Sequence, residues 1–183
     1  PFTIWTRTVR AVLNDNRIQL MINSPCAGIL KLRSAIAKYL REFRGMQVLP
    51  EQIIVGAGTE YLHNLLIQLL GSELVYGVED PGYHKIARIY ESMKVRYEPV
   101  PLDQDGVSVQ ELEKRSVDII HTSPSHHFPT GTVMPVSRRY ELLGWAAKSD
   151  HHYIIEDDYD SELRLGGKPF PTLQSIDVSD KVI

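Results

Sequence analysis

A single cysteine, Cys26, is all the thiol that the 183-residue chain holds, so it can form neither an internal disulfide nor a cysteine-only zinc site. No run approaches the roughly 20 apolar residues that a bilayer span requires. The N-terminus has no basic region followed by an apolar stretch, and no repeat or low-complexity linker interrupts the sequence. Charge of one sign is also scarce: the formal charge is -3 and the pI is near 6.2, which gives no general attraction to nucleic acid or to an anionic membrane. Secreted disulfide scaffolds, membrane proteins and basic nucleic-acid binders are thereby set aside. With 43% hydrophobic and 23% charged residues, the chain reads as one soluble, cytoplasmic domain large enough to bury a core.

Apolar runs and helical patterns alternate along it. "LKLRSAIAKYLREFRG" places Leu32, Ile36, Tyr39, Leu40 and Phe43 three and four residues apart, with Gly45 as a stop signal. "QIIVG" (52–56) precedes the helical "TEYLHNLLIQLLG", "ELVYGVED" (73–80) precedes "YHKIARIYESM", and "KVRYEPVPL" (94–102) precedes the short "VSVQELEKR". "VDIIHTS" (117–123) leads through a proline-rich loop to "SRRYELLGWAAKS" and then to "HHYIIED". Strands alternating with helices predict an α/β fold with a mostly parallel sheet covered by helices on both faces. Residues 1–25 are expected to form an N-terminal helix or arm, and 26–183 the domain itself. The chain starts at Pro1 rather than Met, and "SDKVI" reads as the start of a further buried strand, so more chain is expected after Ile183.

The runs end in distinct polar cassettes, which a parallel sheet would gather along one edge. "GAGTE" (56–60) opens a helix whose free amides favour a phosphate, although a glycine turn with Thr59 as cap is the plainer alternative. "EDPGY" puts Tyr83 beside a Pro81-Gly82 turn, able to stack on a planar ring or simply to pack. "EDDYD" follows a strand expected to be buried, and its carboxylates could hold Mg²⁺, pair with arginines or bond a protonated ring nitrogen. His121, His126, His127, His151 and His152 lie near strand ends without the H-x-x-x-H spacing of a helical metal site, and they read mostly as surface or loop residues.

In this order the cassettes resemble the fold type I family of pyridoxal 5'-phosphate enzymes, the aminotransferase superfamily. "SPSHHFPTGTVMPVSRRYELLGWAAKSDHHYIIEDDYDSELR", with "GILKLRSAIAKYLREFRG", "EQIIVGAGTEYL" and "VEDPGY", is most similar to the aminotransferase-like domain of MocR-type regulators in the GntR superfamily. The resemblance covers nearly everything from about residue 20 onward. It implies that Asp157 bonds the pyridine nitrogen of the cofactor, that Tyr159 bonds its phenolic oxygen and that Tyr83 stacks on its ring. Gly58, Thr59 and Glu60 would start the helix that receives the phosphate. Asp158, Asp160 and Glu162 are left to capping or salt bridges.

Phe128 stands where classical aminotransferases have the asparagine of N-P-T-G, a departure that MocR-type domains share. The family's Schiff-base lysine follows the next strand in a string like G-T-F-S-K, and none of the eight lysines here sits in such a motif. No catalytic residue and no metal ligand are therefore expected within residues 1–183, and this stretch alone is expected to be inactive and at best a weak binder of the cofactor. By resemblance the partners are an amino-compound effector, a second copy of the chain, and DNA through a winged-helix domain upstream of Pro1. Two other readings compete: a working aminotransferase, and a metal-dependent α/β hydrolase built on "EDDYD" and the histidines.

Overall fold

In the computed structural model, which describes residues 1–160 and 170–183, five strands of the described residues form one sheet in the order β3-β2-β1-β4-β5. β1 (Tyr76–Asp80), β2 (Tyr97–Asp103), β4 (Ile119–Thr122) and β5 (Tyr153–Glu156) run parallel, while β3 (Gly106–Val107) turns back antiparallel on β2. Val182 bridges to Ile154 on the free edge of β5, so "SDKVI" does begin to pair as a strand, parallel to its neighbour. The α/β fold with a mostly parallel, helix-covered sheet is thus present.

Side-chain alternation along each strand feeds two cores. Ile120 and Ile154 point to one face with Leu142 and Trp145, whereas Ile119 and Ile155 point to the other with Ile67 and Ile86. Helices α6 (Val109–Lys114) and α7 (Val136–Ala146) cover the first face, and α4 (Thr59–Leu70) and α5 (His84–Ser92) the second. Both faces being buried explains why the strands read as apolar runs rather than as alternating patterns. Gly77 sits where a Cβ would come within 2.9 Å of Ile120 and Val117, so the central strand leaves room there for its neighbours.

Helix α3 (Leu30–Tyr39) starts where the periodicity places it, but its last turn, Leu40–Arg44, widens to π geometry before Gly45 closes it at φ 70°. Upstream, α1 (Phe2–Asp15) and the short α2 (Arg17–Leu20) bury no residue. A short helix, α8 (Leu173–Ile176), precedes the final bridge.

One expected strand is absent. "QIIVG" forms a 3-10 turn over Pro50–Gln52 and then an extended stretch outside the sheet, tied by the Val55 amide to the Ala27 carbonyl at 3.0 Å. Apolar content alone could not reveal that no neighbouring strand offers it a ladder; Ile54 is half exposed.

Candidate functional site

The chain leaves β1 toward β2 on one side and reaches β5 from β4 on the other, so the order of strands reverses between β1 and β4. Open parallel sheets form a crevice outside the carboxyl ends at such a point. Here it is lined by Glu79, Tyr83, His121, Ser123 and Phe128, among others.

Glu79, at the end of β1, is buried and anchors the rim. Its carboxylate accepts from the Thr122 hydroxyl at 2.6 Å and from the Ser123 amide at 3.1 Å, and His127 Nε2 lies 3.4 Å away. Burial raises its pKa above the usual glutamate range, against these partners, which pull it down. The next turn needs Gly82, where a Cβ would stand 2.1 Å from the Glu79 carbonyl oxygen. It delivers Tyr83 half exposed, its ring meeting that of Phe128 edge-on at 6.1 Å and 88°.

Beyond β5, the Asp157 amide donates to the Thr122 carbonyl at 2.9 Å, which ties the acidic cassette to the end of β4. Behind the Asp157 carboxylate, His121 Nε2 stands at 3.4 Å, and the His63 ring lies 5.2 Å from that of His121. Burial would push the Asp157 carboxyl up, but His121, with His63 behind it, outweighs this and holds it below the usual aspartate range. Asp157 is therefore an anion beside His121, which lines the crevice. Tyr159 is half exposed; its hydroxyl donates to the His126 carbonyl at 3.0 Å and its ring stacks on His126, whose Nδ1 is 2.5 Å from Asp160.

At the start of α4, Gly58 occupies the N-cap at φ 95° with no side-chain cap, so Thr59 is the first helical residue and does not cap the helix as "GAGTE" had suggested. The leading amides of a helix have no acceptor within it, and they carry the positive end of its dipole. Gly58 and Glu60 are exposed and Thr59 is partly so, which leaves this terminus open to an anion.

The other acids of "EDDYD" pair internally. Asp158 forms an ion pair with Arg44 from the π turn, and Asp160 pairs with His126. Glu156 accepts the amides of Leu173 and Gln174 at 2.9 and 3.0 Å. Glu162 lies outside the described residues. Two histidines correct the surface reading, since His121 and His127 are only 5% and 3% exposed. Among the described residues no three of His, Cys, Asp or Glu converge to hold a metal ion.

Two residues escaped sequence reasoning. His63 lies four residues before Ile67 on the buried stripe of α4, where a histidine looks like any polar interruption. Arg139 occupies a core position of α7 and is fully buried; its guanidinium donates to the carbonyls of Met134, Pro171 and Pro124 at 3.2, 3.1 and 3.0 Å. A charged residue on a helix normally signals a solvated face, and the three converging carbonyls, with Glu156 3.6 Å away, make this one satisfiable.

Comparison with known proteins bears on this arrangement. The pattern of the family described as aminotransferase class I and II matches residues 8–174. The HTH-type transcriptional regulator YdeL of Bacillus subtilis is 37% identical over the whole chain, which covers 39% of that protein. The rhizopine catabolism regulatory protein MocR of Rhizobium meliloti is 34% identical, with the whole chain covering 37% of it. Among solved structures, an archaeal alanine:glyoxylate aminotransferase superposes over the whole chain and 47% of its own, with a TM-score of 0.87 and 27% identity. The chain thus spans about two fifths of the length of these curated relatives.

Proposed function

The chain belongs to the aminotransferase class I and II family, and from that premise we propose that it is the pyridoxal 5'-phosphate-binding, effector-sensing part of a MocR-type transcription regulator. The observation that carries the cofactor reading is the anionic Asp157, set at the carboxyl end of β5 and backed by His121 of the crevice. The uncapped start of α4 fits a phosphate, and the exposed ring of Tyr83 fits a planar heterocycle. When bound, the cofactor supplies an electron sink for chemistry at the carbon bearing an amino group.

The chain's own residues would bind and orient. Amides at Gly58, Thr59 and Glu60 would hold the phosphate, with the α4 dipole adding to the attraction. Asp157 would hold the proton on the ring nitrogen, because an adjacent anion raises the pKa of a buried pyridinium. Tyr83 would stack on the ring, and Tyr159 would turn its hydroxyl to the phenolic oxygen. Phe128 offers that oxygen no donor, so Tyr159 would serve it alone among these residues.

The regulator reading draws on the names of the relatives, and DNA contact would belong to another domain of the complete protein. An amino compound meeting the cofactor would change which conformation the domains favour, and through it DNA affinity. Exposed apolar residues on α1 and α2, Phe2, Ile4, Trp5 and Ile18 among them, support a homodimer in which this arm packs on a second copy. No helix among the described residues is long and apolar enough to cross a membrane, which fits a cytoplasmic regulator.

The competing reading, a working aminotransferase, is favoured by the fold it shares with enzymes of that activity. The complete gene product, loaded with pyridoxal phosphate and titrated with a panel of amino acids, separates the two. A stable spectral change with one amino compound, no ketoacid and altered operator binding supports the sensor. Ketoacid release over many turnovers supports the enzyme.

A further inference from the structure

His63 and His121 form a buried pair that nothing in the proposed cofactor contacts uses directly. Each is 5% exposed, and their rings lie 5.2 Å apart at 53°. His63 Nδ1 is 3.0 Å from the Thr59 carbonyl. A carbonyl oxygen only accepts, so Nδ1 carries the proton and neutral His63 keeps an unprotonated Nε2. That atom has no hydrogen-bond partner among the described residues, nor has His121 Nε2, which points at Asp157 Oδ2 from 3.4 Å. Burial lowers the pKa of His63, and His121 lowers it further. Leaving ring nitrogens unmatched in a buried place is costly, and the geometry gives that of His121 a use.

We propose that His121 is a positioning residue for Asp157, gripping Oδ2 so that Oδ1 is left for the ring nitrogen of the cofactor, with the His63 ring packed against that of His121. Among the described residues no hydrogen bond holds the Asp157 carboxylate, so without His121 nothing would fix its plane. At 3.4 Å the His121 contact is at ion-pair distance. Thr59, His63, His121 and Asp157 are neighbours in space although they come from α4, β4 and the end of β5. Other ionisable groups face it: the Tyr90 hydroxyl of α5, whose ring lies 6.0 Å from that of His63, and Glu79 of β1 on the side of His121, with His127 beyond it.

This inference rests on the cofactor reading, and the test separates the two failures. In the complete gene product, His121→Phe removes the donor at similar bulk, His121→Gln restores one, and Asp157→Asn removes the anion. Affinity for pyridoxal phosphate is measured by fluorescence titration, and the ring-nitrogen protonation state by NMR with ¹⁵N-labelled cofactor. Histidine NMR of the cofactor-free wild type, with and without Asp157→Asn, reports the contact even where a variant folds poorly. The expected result is an affinity about tenfold lower for H121F, substantially restored in H121Q, with the ring-nitrogen signal of H121F moved toward the unprotonated position. The His121 Nε2 signal of the wild type should shift on Asp157→Asn. Unchanged affinity and nitrogen signal in H121F, while Asp157→Asn weakens binding, would overturn the positioning role alone. If Asp157→Asn also leaves binding unchanged, the cofactor reading itself falls.

Discussion

The hydroxyl of Tyr159 donates to the backbone carbonyl of His126 at 3.0 Å, so its one proton is already committed to the proline-rich loop after β4. To serve the phenolic oxygen of a cofactor it must give up that carbonyl. Tyr159→Phe is therefore predicted to weaken pyridoxal phosphate binding about tenfold, or about 1.4 kcal/mol. The change in folding stability should stay within about 0.5 kcal/mol, because the residue is half exposed. Parallel fluorescence titration and urea denaturation measure both.

Gly82 stands where a Cβ would be 2.1 Å from a backbone oxygen, an approach that no rotamer can relieve. Gly82→Ala should destabilise the fold by about 1–3 kcal/mol as the Glu79–Tyr83 turn shifts. The same shift moves Tyr83 off its place over the crevice. Thermal denaturation and cofactor titration should both register the change.

Arg139 is predicted to be among the most sensitive core positions. Arg139→Met keeps much of the bulk but strands three carbonyls and leaves Glu156, 3.6 Å from the guanidinium, without its cation. Breaking such a buried set costs about 3–5 kcal/mol. Arg139→Lys should recover only part of this, because one ammonium cannot span three carbonyls. Urea denaturation of the two variants checks both the loss and the order.

Glu79 gives a pH signature. Its pKa in the fold is raised by burial above the unfolded value, so its favourable contribution is full below the ordinary glutamate range and is lost as pH rises through the folded value. Glu79→Gln removes that titration. Relative to wild type, the variant should therefore gain stability as pH rises from acid toward neutral, measured by urea denaturation at several pH values. Glu156 titrates with the same sign in both proteins and cancels in the difference.

The strand-helix alternation was legible because parallel strands buried on both faces are largely apolar, and Tyr76–Asp80, Ile119–Thr122 and Tyr153–Glu156 each run apolar until their polar carboxyl ends. The extended stretch after Gln52 was misread as a strand because an apolar run does not record whether a partner strand lies beside it. Asp157 could be placed from sequence because the acids follow a strand directly. What stands behind Asp157 could not. His63 and His121 are 58 positions apart and acquire meaning only when α4 packs against the sheet, which brings their rings to 5.2 Å. Arg139 was hidden by its own type, since the carbonyls that make its burial tolerable come from Pro124, Met134 and Pro171.

The central claim is that the Asp157 anion receives a protonated pyridine ring. Titrating the complete gene product with pyridoxal phosphate, wild type against Asp157→Ala, tests it most directly, with circular dichroism to confirm that both are folded. Saturable one-to-one binding by the wild type, weakened at least tenfold in the variant, is the predicted result. Equal affinity in the two folded proteins, or no saturable binding by the wild type, would contradict it.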